Sequence, residues 1–77
     1  MEEELREETI KWLERIKKKK FRAKNGFEDF ERNIRAYISD SEYFLRKNDL
    51  IRAFECVVWA WAWLEIGKEY GFLEVEE

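Results

Sequence analysis

The chain has no histidine and no proline, a single cysteine and only three glycines among its 77 residues. Without histidine it lacks the commonest general base and metal ligand at neutral pH. Cys56, alone, cannot close a disulfide within the chain, and a lone thiol in a highly charged sequence suits a reducing compartment. Carboxylates and that thiol are left as metal ligands, and they show neither zinc-type spacing nor a tight cluster. Gly26, Gly67 and Gly71 lie too far apart to form a phosphate-cradling loop. No apolar run approaches the roughly 20 residues that span a bilayer. The start, Met-Glu-Glu-Glu-Leu, is the opposite of a basic leader. These absences lead us to expect a soluble cytoplasmic protein without metal or cofactor, not an enzyme, and with no membrane partner.

What is present is charge and aromatic surface. Charged residues make up 43% of the chain and aromatics 17%, which suggests a solvated shell around an aromatic core. Abundant Glu and Lys with little Cys or Met resembles the composition of proteins from hot environments, so thermostability is expected. A single domain of this size builds a marginal core and often needs oligomerisation. Net charge is −3 and unevenly placed. Glu2, Glu3, Glu4, Glu7 and Glu8 open the chain, Lys17–Lys24 is basic, and Glu74, Glu76 and Glu77 close it.

With no proline, glycine and turn residues supply the breaks. Asn25-Gly26 and Lys47-Asn48-Asp49 divide the chain into three segments. Leu5, Thr9, Trp12, Leu13 and Ile16 predict a first helix over about 3–23, acidic at its start and basic at its end as the macrodipole favours. Phe27, Phe30, Ile34, Tyr37, Ile38, Ser41, Phe44 and Leu45 predict a second over about 27–47. Glu28–Arg32, Glu31–Arg35 and Glu42–Arg46 stand at ion-pair spacing on that helix. The third segment contains Val-Val-Trp-Ala-Trp-Ala-Trp, which alternates like a strand and has β propensity. Length decides for helix. Asp49 is a good N-cap, and the 17 residues after it contain no breaker, too long for a typical strand. Leu50, Ala53, Phe54, Val57, Ala60, Trp61 and Leu64 form one helical face, giving a helix over about 50–70. Gly71 suits the C′ position, and Phe72, Leu73 and Val75 make a short apolar tail (71–77) able to fold back onto the bundle. The expectation is a single-domain, all-α, up-and-down three-helix bundle.

The stretch Tyr37-Ile-Ser-Asp40-Ser-Glu-Tyr43-Phe44-Leu45 is followed by Asp49, Ala53-Phe54, Trp59-Ala60, Trp63-Leu64-Glu65 and Gly67. Together with Tyr70-Gly71-Phe72-Leu73-Glu74-Val75, this order resembles an archaeal family of small helical proteins, domain of unknown function 357. Glu65 stands where that family more often has aspartate, and Trp61-Ala62-Trp63 is more aromatic than its usual pattern. The resemblance covers residues 37–75 and implies a three-helix bundle with no established activity. The second and third helices also look like one tetratricopeptide unit, but no second copy exists.

Three sets of candidate residues follow. Trp59, Trp63, Ile66 and Tyr70 lie opposite the first face of the third helix, with Cys56 at their border. They serve either as packing against the first helix or as a subunit interface, where Trp and Tyr anchor. A homo-oligomer, with a dimer favoured, is the expected assembly, and the chain then acts as a protein-interaction module that self-associates. The alternative is an accessory domain that binds nucleic acid through Lys17, Lys18, Lys19, Lys20, Phe21, Arg22 and Lys24, the lysines and arginine neutralising phosphates while Phe21 stacks on a base. An acidic overall balance weighs against nucleic acid as partner. Asp40 and Tyr43, which fit the family pattern, are read either as ligand contacts or as ordinary helix-surface residues.

Overall fold

The computed structural model describes residues 1–76. Its elements run α1 (Glu2–Lys17), β1 (Phe21–Ala23), α2 (Glu28–Arg46), α3 (Leu50–Glu69) and β2 (Leu73–Val75). The all-α, three-helix expectation holds, with a small antiparallel ribbon added. α3 is the central element, packing on both other helices. Its buried face is Leu50, Ala53, Val57, Ala60, Leu64 and Gly67; of the stripe read from the sequence, Phe54 and Trp61 are only half-buried, and Gly67 is added.

The joint between α2 and α3 shows how few residues a reversal needs. Asn48 takes the left-handed conformation, φ 62°. Its N–H donates to the Leu45 carbonyl at 3.1 Å and that of Asp49 to the Phe44 carbonyl at 2.9 Å. These are the two bonds of a Schellman ending, with asparagine in the usual glycine position. Asp49 then caps α3, its Oδ1 accepting from the Arg52 N–H at 3.3 Å. α3 ends in the same way. Gly71 has φ 77°, the Phe72 N–H donates to the Gly67 carbonyl at 2.8 Å, and the Gly71 N–H to that of Lys68 at 3.3 Å. Where α2 and α3 cross, Ser41 is fully buried, and its hydroxyl donates to the Ala53 carbonyl at 2.7 Å. The buried polar group is thus satisfied by the neighbouring helix.

Two expectations are corrected. The first helix ends at Lys17 rather than near Ala23, because the apolar stripe stops at Ile16 and four lysines follow. Beyond them the period changes from helical to two: Phe21 is buried, Arg22 exposed and Ala23 half-buried. The tail has the matching alternation, Leu73 in, Glu74 out and Val75 half-buried. The strands pair in the register Phe21↔Val75, Arg22↔Glu74 and Ala23↔Leu73. Two of the three ion pairs expected along α2 also have other partners. Arg32 pairs with Asp29, and Glu42 takes Lys17 of α1 at 2.5 Å; only Glu31–Arg35 forms as spaced, at 2.9 Å.

The ribbon is fixed to α2 by those last two residues. Glu31 Oε1 accepts from the Ala23 N–H at 2.8 Å, and the Arg35 guanidinium donates to the Phe21 carbonyl at 3.1 Å. The same guanidinium lies 4.3 Å from the centre of the Phe21 ring. Two outer polar groups of β1, the Ala23 N–H and the Phe21 carbonyl, are therefore occupied, which blunts the pairing hazard of a bare strand edge. Among the described residues, no helix is long and apolar enough to cross a membrane.

Candidate interaction surfaces

α3 is apolar nearly all round, so packing against two helices leaves part of it uncovered. Among the described residues, nine large hydrophobic side chains are exposed; four of them (Ile51, Val58, Trp59 and Ile66) lie on this one helix and a fifth, Tyr70, is its C-cap. Trp59 is 53% exposed and Tyr70 70%. These five residues lie on the side away from the buried stripe, interspersed with the exposed charged residues Arg52, Glu55, Glu65 and Glu69. On the α2 flank the Tyr37 ring stacks with Trp59, centroids 6.4 Å apart at 20°. Trp63 differs from these neighbours. It is half-buried, its ring meets Phe30 edge-on at 4.9 Å, and its Nε1 is buried without a hydrogen-bond partner. Of the four interface candidates, Trp59, Ile66 and Tyr70 present surface, and Trp63 is half-buried against Phe30.

The opposite flank of α3 meets α1. Trp61 donates from Nε1 to the Trp12 carbonyl at 3.0 Å, and the two indoles cross edge-on at 5.6 Å. That is how this part of the aromatic run is covered. One stripe packs on α1, another on α2, and a third faces water.

The basic block divides into parts with different duties. Lys17 is held by Glu42 at the α1–α2 seam. Lys24 Nζ reaches the end of α3, 3.7 Å from where a Cβ on Gly71 would stand. A cation there complements the helix dipole. Phe21 is only 7% exposed and belongs to the core cluster, so it is not the surface platform for a base that the sequence suggested. Strand alternation, invisible while this stretch read as helix, turned it inward. Lys18, Lys19, Lys20 and Arg22 make no ion pair with another described residue. Among the described residues, a hollow of about 330 Å³ is lined by Lys18, Lys19 and Lys20 with Arg15 and one carboxylate, Glu76. Arg15 was not among the sequence candidates, because it lies on α1, before the lysine run.

Asp40 and Tyr43 are both exposed on α2. Tyr43 packs edge-on against Phe44 at 5.4 Å, with Lys47 Nζ 5.7 Å from its ring. Asp40 acts at a distance: burial first, then the charges of Asp40 and Glu55, push the Cys56 thiol above its ordinary value. A raised thiol is a poor nucleophile at neutral pH. Among the described residues, no three side chains of metal-ligand type gather. Glu31 is shifted the other way. The hydrogen bond from the Ala23 backbone, and then Arg35, hold its carboxyl below the usual range.

A family profile described as protein of unknown function (DUF357) matches residues 3–73. The crystal structure of a protein from Archaeoglobus fulgidus assigned to the same family is similar along nearly its whole length. It is 66% identical, with 95% of each chain covered and a TM-score of 0.82. No curated protein matches.

Proposed function

The chain belongs to the DUF357 family, and we propose that it is a non-enzymatic protein-interaction module whose partner is a second copy of itself, joined through the outer face of α3. The observation that carries this reading is the concentration of exposed apolar side chains on one helix. Scattered surface hydrophobics need no explanation, whereas here they share one side of one helix, with charged residues between them, and such a concentration favours a surface that is covered in use. Its composition also fits, since Trp and Tyr bury large area at small cost in side-chain freedom. Trp59, Ile66 and Tyr70 are the anchors, and Trp63, packed edge-on against Phe30, adds its half-exposed edge to the same side. The dimer is the simplest closed assembly for a self-complementary patch.

Light scattering after size-exclusion chromatography tests the proposal. Wild type is expected at twice the chain mass at high micromolar concentration. Trp59→Glu combined with Tyr70→Glu is expected at the monomer mass with unchanged helicity, since both side chains are solvent-facing. A wild type that stays monomeric at millimolar concentration overturns self-association.

A further inference from the structure

The hollow at the end of α1 concerns a different surface and stands independently of the α3 face. We propose that it is a binding site for the sugar–phosphate backbone of duplex nucleic acid, read without regard to base sequence. Among the described residues, four cations, Arg15, Lys18, Lys19 and Lys20, line it against one carboxylate, Glu76. The chain as a whole is acidic, so this local excess of positive charge is against its average. Elsewhere five cations have carboxylate partners, Lys11 with Glu8, Lys17 with Glu42, Arg32 with Asp29, Arg35 with Glu31 and Arg52 with Asp49, while Arg6, Lys24, Arg46 and Lys47 do not gather in one hollow. The three lysines of the hollow have no such partner among the described residues.

The platform beneath them is firm. Lys20 and Arg22 leave the ribbon on its solvent side because Phe21, between them, is buried and held through its carbonyl by Arg35. Beside that platform a second hollow of about 640 Å³ carries Lys19, Lys20, Arg22 and Arg35 against Glu74 and Glu76. Glu74 stands opposite Arg22 in the strand register. The positive excess therefore centres on Lys18–Lys20 and Arg15 rather than on the strand.

The preference for duplex comes from what the hollow lacks. Single-stranded binders gain much of their affinity by stacking bases on aromatic rings. Phe21 is buried, and the Trp12 ring already has Arg15 4.8 Å from its centre and Lys11 at 5.4 Å. With no free ring, contact is to phosphates alone, and a duplex offers them more densely than a single strand. The hollow has no apolar rim of the kind a lipid surface would need.

Fluorescence anisotropy with a labelled random-sequence duplex of about one and a half helical turns tests the site. Binding in the micromolar range is expected at low salt, with log Kobs falling against log salt at a slope of about −3, for three to four phosphates neutralised. Lys18→Glu with Lys19→Glu is expected to weaken binding at least tenfold and to flatten the slope. Arg46→Glu with Lys47→Glu makes the same charge change outside the hollow, at the C-terminal end of α2, and is expected to stay within about threefold. Circular dichroism of both variants checks that the fold is kept. The proposal is overturned by no binding at 20 mM salt or by equal weakening in the two variants. It is also overturned if the single strand of equal length binds more tightly than the duplex, or if tripolyphosphate competes as well as duplex at equal phosphate concentration.

Discussion

Gly67 shows how one atom's absence sets the spacing of a whole corner. It lies within α3, where alanine would ordinarily be the better helix former by about 1 kcal/mol. A Cβ built there would stand 2.5 Å from Leu73 Cδ1 and 2.8 Å from Phe30 Cε1. Leu73 is 3% exposed and tied into the ribbon, and Phe30 is wedged between Trp63 and Phe72, so neither can swing aside cheaply. Gly67→Ala should therefore destabilise by about 1–3 kcal/mol, the usual range for overpacking, reversing the sign that propensity alone gives. Urea unfolding followed by far-UV circular dichroism measures it, and a stabilised variant would mean that the corner is looser than drawn. Ser41 has the same logic on α2: the small side chain and its bond to the Ala53 carbonyl let two helices approach where a larger residue would hold them apart.

The ribbon is the least regular element and the one whose fixation depends on charge. Glu31 accepts from β1 and pairs with Arg35, which in turn donates to β1. Its carboxyl titrates below 4.5 in the folded chain, with the Ala23 hydrogen bond the main cause. A depressed carboxylate contributes stability above its unfolded pKa and loses that contribution as pH falls through the folded value. The advantage of wild type over Glu31→Gln, read as a urea midpoint, should therefore be full at neutral pH and shrink as pH drops below 4.5. Glu8 is lowered too, by Lys11 and Trp12, but it is present in both chains and cancels in the comparison. A gap that does not change with pH would assign the role of Glu31 to its shape alone. This element is also where the sequence was hardest to read. α2 and α3 were legible because their stripes are long and their turn residues, Asn48, Asp49 and Gly71, each have a mechanical reason to be there. Phe21-Arg22-Ala23 is too short to show a period, and its partner strand lies some fifty residues away. The basic block was accordingly visible as composition, while its division into Lys17 at a seam, Lys24 at a helix end and Lys18–Lys20 at the surface is a matter of tertiary placement. On α3 the whole aromatic run could be seen, but not which stripe Trp12 and Phe30 would cover.

At the scale of the whole molecule, a rod 40 Å long and 16 Å across its narrowest axis has little interior, and its ends matter. One end is closed by the short α2–α3 joint. The other is closed by the ribbon and Phe72, whose ring stacks on Phe27 at 4.4 Å and meets Phe30 edge-on at 5.5 Å. A domain of this length has about 4–12 kcal/mol of stability in total, at the usual 0.05–0.15 kcal/mol per residue. Burying side chains such as Leu73 and Phe72 contributes about 1.5–3 kcal/mol apiece when complete. Phe21 and Phe30 would lose cover along with them, so the last strand holds a large share of that margin. Ending the chain after Gly71 should lower the melting temperature by at least ~12 °C, at roughly 4 °C for each kcal/mol lost in a domain of this size. Glu74→Ala, on the solvent side of the same strand, should shift it by only a few degrees. Thermal melts of the three chains separate the alternatives. If the shortened chain melted alongside wild type, the helices would be closing that end unaided, and the ribbon would be an ornament rather than the fourth wall of the core.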